Sequence, residues 1–413
     1  MEQRKPIPVS EAVQKVMKLA QTLGTETVPL EQSYNRILAE PIVAGHPVPP
    51  FNRSPYDGFA ILSKSSLGAS GDNRIQFDIV DHIGAGEVSE QILSGNKAVR
   101  IMTGAPLPTN ADAIIMFEQT IESEGSFTIR KPFEPLENVS LEGEDVQKGE
   151  TVIESGNLIH PGTVALLATF GYATVQVAKQ PVVGILSTGT ELLDVSERLV
   201  PGKIRNSNGP MIAAQLARMG IGCKTYGLSA DQLDESFETV KRAAAETDCL
   251  ITTGGVSVGD FDFLPAIYER LGAEVLFNKV AMRPGSVTTV AVADSKYLFG
   301  LSGNPSACFT GFELFVRPAL LKMMGAEKVY LPHTTAVLSE DFTKANPFTR
   351  FIRAVYDGTY TKPAGFNKSN AVASIAKGNA LIVLPGGSRG FTAGDAVDVL
   401  LLGVEEGSSE WKI

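Results

Sequence analysis

The segment Asp248–Asp262 reads DCLITTGGVSVGDFD. Its apolar run, Cys249 to Ile251, predicts a buried strand. Thr252 and Thr253 lead into Gly254 and Gly255, and adjacent glycines after a strand allow positive φ and close approach of a ligand to the backbone. Asp260 follows, and Asp262 opens the apolar run Phe263 to Leu271, which predicts a helix with an acidic N-terminus. A strand, a glycine turn and a helix start place free N–H groups toward an anion. The two carboxylates imply a hard cation such as Mg²⁺ beside that anion. The same residues would also make a tight strand-to-helix turn with a capping aspartate. The spacing matches neither the P-loop nor the dinucleotide fingerprint.

Outward from this segment the pattern alternates strand and helix from Pro181 onward. Strands are predicted at Val182 to Leu186, Cys223 to Leu228, Val275 to Phe277, Val287 to Val292 and Tyr297 to Leu301. Helices are predicted at Pro210 to Met219, capped by Asn206-Ser207-Asn208, and at Leu233 to Glu246 and Ala307 to Met324. In an open α/β sheet, ligands bind beyond the carboxyl ends of the strands. Glu191, Asp231, Asp260, Asp262 and the loop Ser302 to Pro305 all fall at such ends, where several acidic loops would form one cleft. Phe277 to Gly285 adds Lys279 and Arg283, read either as anion ligands or as solvated surface charge.

Residues 1–45 read as mainly helical, with Ser10 capping a helix that runs to Leu23. Residues 46–147 change to short apolar alternations broken by Gly, Pro and Asn, a β-rich insert. Pro161 to Gly171 returns to helix. Beyond Gly325, strands at Ala336 to Leu338, Phe351 to Tyr356, Val372 to Ile375, Ala380 to Leu384 and Val397 to Leu402 predict a small barrel or sandwich.

The 413 residues leave room for about three domains of ~150 residues. A net charge of −10 argues against a nucleic-acid surface while leaving room for a local basic pocket. Cys223, Cys249 and Cys308 sit apart in apolar runs, the pattern of buried free thiols in a reducing compartment. No apolar run reaches ~18 residues, so no membrane span is expected, and no secretory leader is read at the N-terminus. A cytoplasmic protein is expected.

Six loops carry a resemblance when read in order: SPYDGFA from Ser54, IMTGAPLP from Ile101, STGTELL from Ser187, TTGGVSVGDFDF from Thr252, KVAMRPG from Lys279 and LSGNPSA from Leu301. Together they resemble the molybdopterin molybdenumtransferases, the MoeA and gephyrin E-domain type, from about Ile7 to Leu402. The GGVSVGD and GNP pair also occurs in smaller molybdopterin adenylyltransferases and competence-damage proteins. The insert and the C-terminal β-domain set this chain apart from those. The departures are Arg283 at a lysine position, Ser286 where a basic residue is common, Ser302 in place of proline, and Pro55-Tyr56 before Asp57.

The resemblance implies a multidomain α/β plus β fold. It assigns residues 1–45 and 148–180 to a helical and extended dimerisation domain, 46–147 to the β-rich insert, 181–328 to a three-layer α/β molybdopterin-binding domain, and 329–413 to a C-terminal β-barrel-like domain. It implies a homodimer that inserts molybdate into adenylylated molybdopterin, releases AMP and uses Mg²⁺. The molybdopterin adenylyltransferase is a candidate partner; no nucleic acid or membrane is expected. Carried over by position, Asp57, Thr103, Glu191, Asp231, Asp262, Lys279 and Arg283 would be catalytic. Glu191, Asp231 and Asp262 would hold the metal. Gly254, Gly255, Ser257, Gly259, Ser302, Gly303, Asn304, Pro305, Arg353 and Ser369 would bind substrate, and the insert's Asp57 and Thr103 would face the partner subunit. A scaffold role is the alternative, which lost acidic residues and long linkers would favour. Adenylyl transfer would instead suit a compact single-domain chain.

Overall fold

A computed structural model of the chain describes residues 5–229, 233–255 and 264–403. The chain packs as two units, residues 1–39, 156–164 and 174–413 in one, residues 40–155 and 165–173 in the other.

In the first unit a six-stranded sheet runs in the order Cys223–Ser229, Val183–Thr188, Cys249–Thr253, Lys296–Leu301, Thr289–Ala293, Glu274–Phe277. The first four strands are parallel, and Thr289–Ala293 is antiparallel to both its neighbours. Central strands covered on both faces read as continuous apolar runs, and period-two alternation divides them between two cores. Ile185, Ile251 and Phe299 pack with Ile212, Leu216, Phe312 and Phe315 on one face. Leu186, Leu250 and Leu298 pack with Phe237, Val240, Ile267 and Tyr268 on the other. Helices Asn208–Arg218, Leu233–Glu246 and Leu264–Arg270 follow their strands as the alternation predicted. Cys249 and Cys308 are buried free thiols as expected, but Cys223 is exposed, because it starts the edge strand of the sheet. The last helical run starts at Pro305, with Asn304 as N-cap, and continues to Met323 through a π segment at Phe312–Val316.

The N-terminal expectation needs correction. The helix spans Val9–Leu19 with Pro8 at its N-cap, and Ser10 caps nothing. Ala12 and Val16 are fully buried in the α/β core, and Tyr297 Oη donates to Val16 O at 2.6 Å. Beyond Ala20 the backbone turns extended, and the Leu23 N–H donates to Met323 O at 3.0 Å instead of closing a helical turn. Thr25–Pro29 then pairs antiparallel with Thr174–Ala178. Tertiary hydrogen bonding and packing override local helix propensity here.

In the C-terminal region, Thr349–Tyr356, Tyr360–Pro363, His333–Leu338, Ala396–Leu401 and Ala380–Leu384 close into a five-stranded barrel around Ile352, Ala354, Ile382 and Val399. The predicted strand at Val372 to Ile375 is instead a short helix, Ala373–Lys377. One helical turn places the buried Ser374 hydroxyl within 3.2 Å of Arg353 Nε, which donates to it. The strands Phe342–Asn346 and Ser388–Phe391 pair with each other, and their polar sequences gave no alternation to read.

The second unit carries a six-stranded sheet, ordered Ala113–Met116, Gly58–Ile61, Lys97–Ile101, Ile75–Ile83, Ser126–Ile129, Ile121–Ser123. Phe59, Phe127 and Phe77 stack on one face, with centroids 3.9 and 5.4 Å apart. Ala60, Val99, Ile101 and Ile114 fill the other. No helix among the described residues is long and apolar enough to cross a membrane.

Candidate functional site

The strand ends of the α/β sheet converge on the turn at Gly254. Gly254 and Gly255 have φ of +89° and +63°, and a Cβ on Gly254 would stand 2.4 Å from Thr188 O. The Gly254 N–H donates to Leu301 O at 3.1 Å, so the turn is tied to the neighbouring strand. Gly254→Ala should therefore cost at least about 1–3 kcal/mol, the range for a strained backbone position, read as a lower urea midpoint. An unchanged midpoint would show that the turn can relax.

A small cavity at this edge is lined by Thr188, Glu191, Arg205, Asn206, Asn208, Thr253, Gly303 and Pro305, among others. Glu191 is exposed, its carboxylate lies over Gly189, and the described residues give it no ion pair. On the other side of the Ser302–Pro305 loop lies a cavity of about 480 Å³. Ser302 and Asn304 face this larger cavity, while Gly303 and Pro305 face the smaller one.

Arg283, Lys344, Arg350, Arg353 and Lys368 line the larger cavity with Ser369 and Asn367, and no carboxylate lines it among the described residues. Backbone pairing builds it: Met282–Arg283 runs parallel to Thr349–Arg350, which sets Arg283 beside Arg350. Burial, then the charge of Arg283, lowers the Arg350 pKa, and Asn346 Oδ1 accepts from Arg350 Nε at 2.6 Å. Arg353 is only 1% exposed, and burial pushes its pKa down to about 10. Its guanidinium donates to Ser374 Oγ and Lys368 O, both at 3.2 Å, and has no carboxylate partner among the described residues. The Asn367 Nδ2 donor also has no partner among the described residues. Cations crowded in a pocket without a counter-charge destabilise one another until an anion enters. The pocket suits a tetrahedral or phosphoryl dianion, with guanidinium forks and hydroxyls as donors.

The predicted residues thus divide into groups. Arg283, Ser302, Asn304, Arg353 and Ser369 meet in the cationic cavity; Glu191, Gly303 and Pro305 border the smaller one, where Arg205 is the other charged residue of the lining. Lys279 is half-buried and lines neither, although its carbonyl accepts from the Ile7 N–H at 3.1 Å. Asp57 and Thr103 meet in the second unit, where the Thr103 N–H and Oγ1 donate to Asp57 Oδ1 at 2.7 and 2.8 Å. Those two bonds, the backbone one first, hold the Asp57 carboxyl below its usual range. Gly58 follows because a Cβ there would lie 2.0 Å from Ile115 O across the sheet. Asp231, Ser257, Gly259, Asp260 and Asp262 lie outside the described residues. Among the described residues no three His, Cys, Asp or Glu side chains group as a metal site. Lys344, Arg350, Asn367 and Lys368 were not singled out from the sequence, since each is one polar residue in an already polar stretch.

Three family models match the chain. "MoeA N-terminal region (domain I and II)" covers residues 7–171, "Probable molybdopterin binding domain" 184–322, and "MoeA C-terminal region (domain IV)" 335–402. A molybdopterin molybdenumtransferase of Staphylococcus aureus (strain MRSA252) is 59% identical over 97% of each chain. One of Staphylococcus epidermidis is 58% identical over 97% of each. The crystal structure of a molybdopterin biosynthesis moeA protein from Pyrococcus horikoshii OT3 superposes with a TM-score of 0.83 at 30% identity, covering 96% of this chain and 100% of that one.

Proposed function

The chain belongs to the molybdopterin molybdenumtransferase family, and from that premise we propose that it transfers molybdenum to molybdopterin in molybdenum cofactor biosynthesis. Two dithiolene sulfurs would replace oxygens of molybdate, which leave as water with the thiol protons, and water would cleave the phosphoanhydride of adenylylated molybdopterin, so that AMP leaves and the terminal phosphate stays on the pterin. The observation that supports this reading is the cavity against the Ser302–Pro305 loop, which five cations and, among the described residues, no carboxylate line. Its charge suits molybdate and the substrate phosphate, and it sits in a chain whose net charge of −10 would otherwise repel both.

Arg353 and Arg283, with the Ser302 and Ser369 hydroxyls, are proposed to hold the oxyanion, with Lys279 near the reacting groups. Gly254 and Gly255, with Ser257 and Gly259, would let the organic substrate approach the backbone. Asp57, whose carboxyl Thr103 holds below its usual range by donating to it twice, is proposed to join the catalytic set with that threonine. Glu191 offers the hard oxygen donor that Mg²⁺ takes, and it would share that ion with Asp231 and Asp262. The bound ion would polarise the departing phosphoryl group. The proposal extends to a cytoplasmic homodimer that receives its substrate from the molybdopterin adenylyltransferase.

Purified protein given adenylylated molybdopterin tests the reading. AMP should accumulate when molybdate and Mg²⁺ are both present and fall to background when EDTA removes the Mg²⁺. AMP release that ignores EDTA would exclude the metal's role. The absence of release under all conditions would exclude the transfer.

A further inference from the structure

The Ser302–Pro305 loop is the shared wall of the two cavities, so what holds it matters to both. On one side the loop is tied to the cationic cavity's own wall. The Ser306 N–H donates to Ser369 O at 3.0 Å, and Ser306 Oγ donates to Ala371 O at 2.6 Å. On the other side stands Asn208, in the first turn of Asn208–Arg218 and only 6% exposed. Its Nδ2 donates to Gly303 O at 2.8 Å, and its Oδ1 accepts from no described group. Among the described residues the amide therefore has a single side-chain anchor, and that anchor is the loop.

The helix that presents Asn208 is fixed at both ends. Asn206 Oδ1 accepts from the Gly209 N–H at 3.1 Å, and Asn206 Nδ2 donates to Ser187 Oγ at 3.0 Å. Thr253 Oγ1 donates to the same Ser187 oxygen at 3.3 Å, which links two strand ends. At the far end, Gln215 Nε2 and Arg218 Nη2 both donate to the buried Glu313 Oε1 at 2.7 Å, on the helical run that follows the loop. With its helix pinned in this way, Asn208 presents a fixed donor to the Gly303 peptide.

We propose that Asn208 is a positioning residue of the transfer reaction: through Gly303 O it sets the loop whose Ser302 and Asn304 face the oxyanion cavity, which Asn208 itself does not line. The inference rests on the reading that this cavity takes molybdate. Asn208 would thus control an affinity for an ion that it does not touch.

Molybdate titration by calorimetry, paired with thermal unfolding of each variant, tests this. Asn208→Ala and Asn208→Asp should each raise the molybdate Kd about tenfold at pH 8, the scale of one lost hydrogen bond. The Asp variant keeps the shape but replaces the donor with a second acceptor facing Gly303 O. Its own titration supplies the rescue, because burial raises a carboxyl pKa and the protonated form can donate. Relative to wild type at each pH, its affinity should recover as pH falls to about 5.5. A merely structural role would give no such recovery. If Asn208→Ala does not fold, the nearly isosteric Asp variant decides alone. Wild-type affinity in Asn208→Asp at pH 8, or no recovery at low pH, overturns the proposal. Wild-type protein that fails to bind molybdate, or binding indifferent to Arg353→Ala, would instead overturn the cavity reading beneath it.

Discussion

Glu191→Gln should slow molybdate-dependent AMP release about 10²–10³-fold, the loss that follows removal of one preorganised electrostatic contact. The same change should leave thermal stability within about 0.5 kcal/mol of wild type, as surface substitutions usually do. The structure separates the two outcomes well. Glu191 is exposed, caps no helix and has no ion pair among the described residues, and its one structural hydrogen bond runs from the Ile204 N–H to its backbone carbonyl at 2.8 Å. Gln keeps that bond and the side-chain shape. Only the charge is lost, and charge is what a Mg²⁺ ligand supplies. The rate loss should shrink when Mg²⁺ is raised well above its wild-type requirement. Asp231→Asn and Asp262→Asn should behave alike if the three carboxylates act on one ion. Full activity in Glu191→Gln at limiting Mg²⁺ would remove Glu191 from the metal site.

Arg353→Met should separate stability from binding. A buried guanidinium without a carboxylate partner destabilises the free fold, and an apolar side chain of similar volume relieves that cost. The variant should melt higher than wild type without ligand, yet bind molybdate about 10–100-fold more weakly, the range for a charge-assisted hydrogen bond. The pH dependence has a definite sign. Burial holds the folded-state pKa near about 10, below the ordinary guanidinium range, so the unfolded chain binds the extra proton above that pH. Stability from this group therefore rises as pH climbs past 10, and its burial cost is complete below it. Arg353→Met should lose that rise. A lower melting temperature with unaltered molybdate affinity would make Arg353 a structural residue.

How much of this was legible depended on how local each feature is. The α/β core could be read because Val183–Thr188, Cys249–Thr253 and Lys296–Leu301 are apolar runs, each followed by a loop of glycine or turn residues. The helix Leu233–Glu246 has the boundaries its pattern predicted. Residues 20–45 misled because Leu23 is held by Met323, about three hundred positions away. Val372 to Ile375 misled for a related reason: Ser374 is needed against Arg353, and a single helical turn delivers it.

The site divides similarly. Ser302 to Pro305 and Glu191 stood out from loop chemistry at predicted strand ends. Arg353 and Ser369 came only from the resemblance. No local signal joins Arg283 to Lys344, Arg350 and Lys368, because the pairing of Met282–Arg283 with Thr349–Arg350 that assembles them is long-range. Asn206-Ser207-Asn208 read together as a helix cap; in the structure Ser207 holds the N-cap position, Asn206 accepts from the Gly209 N–H, and Asn208 turns toward Gly303.

The central claim is that AMP leaves because molybdenum is inserted. The direct measurement is the molar ratio of AMP released to molybdenum retained in the organic product, from purified protein, adenylylated molybdopterin, Mg²⁺ and a molybdate titration. One molybdenum per AMP is expected across the titration, with release falling to background as molybdate is withdrawn. AMP released at the same rate without molybdate, or with no molybdenum in the product, would contradict it.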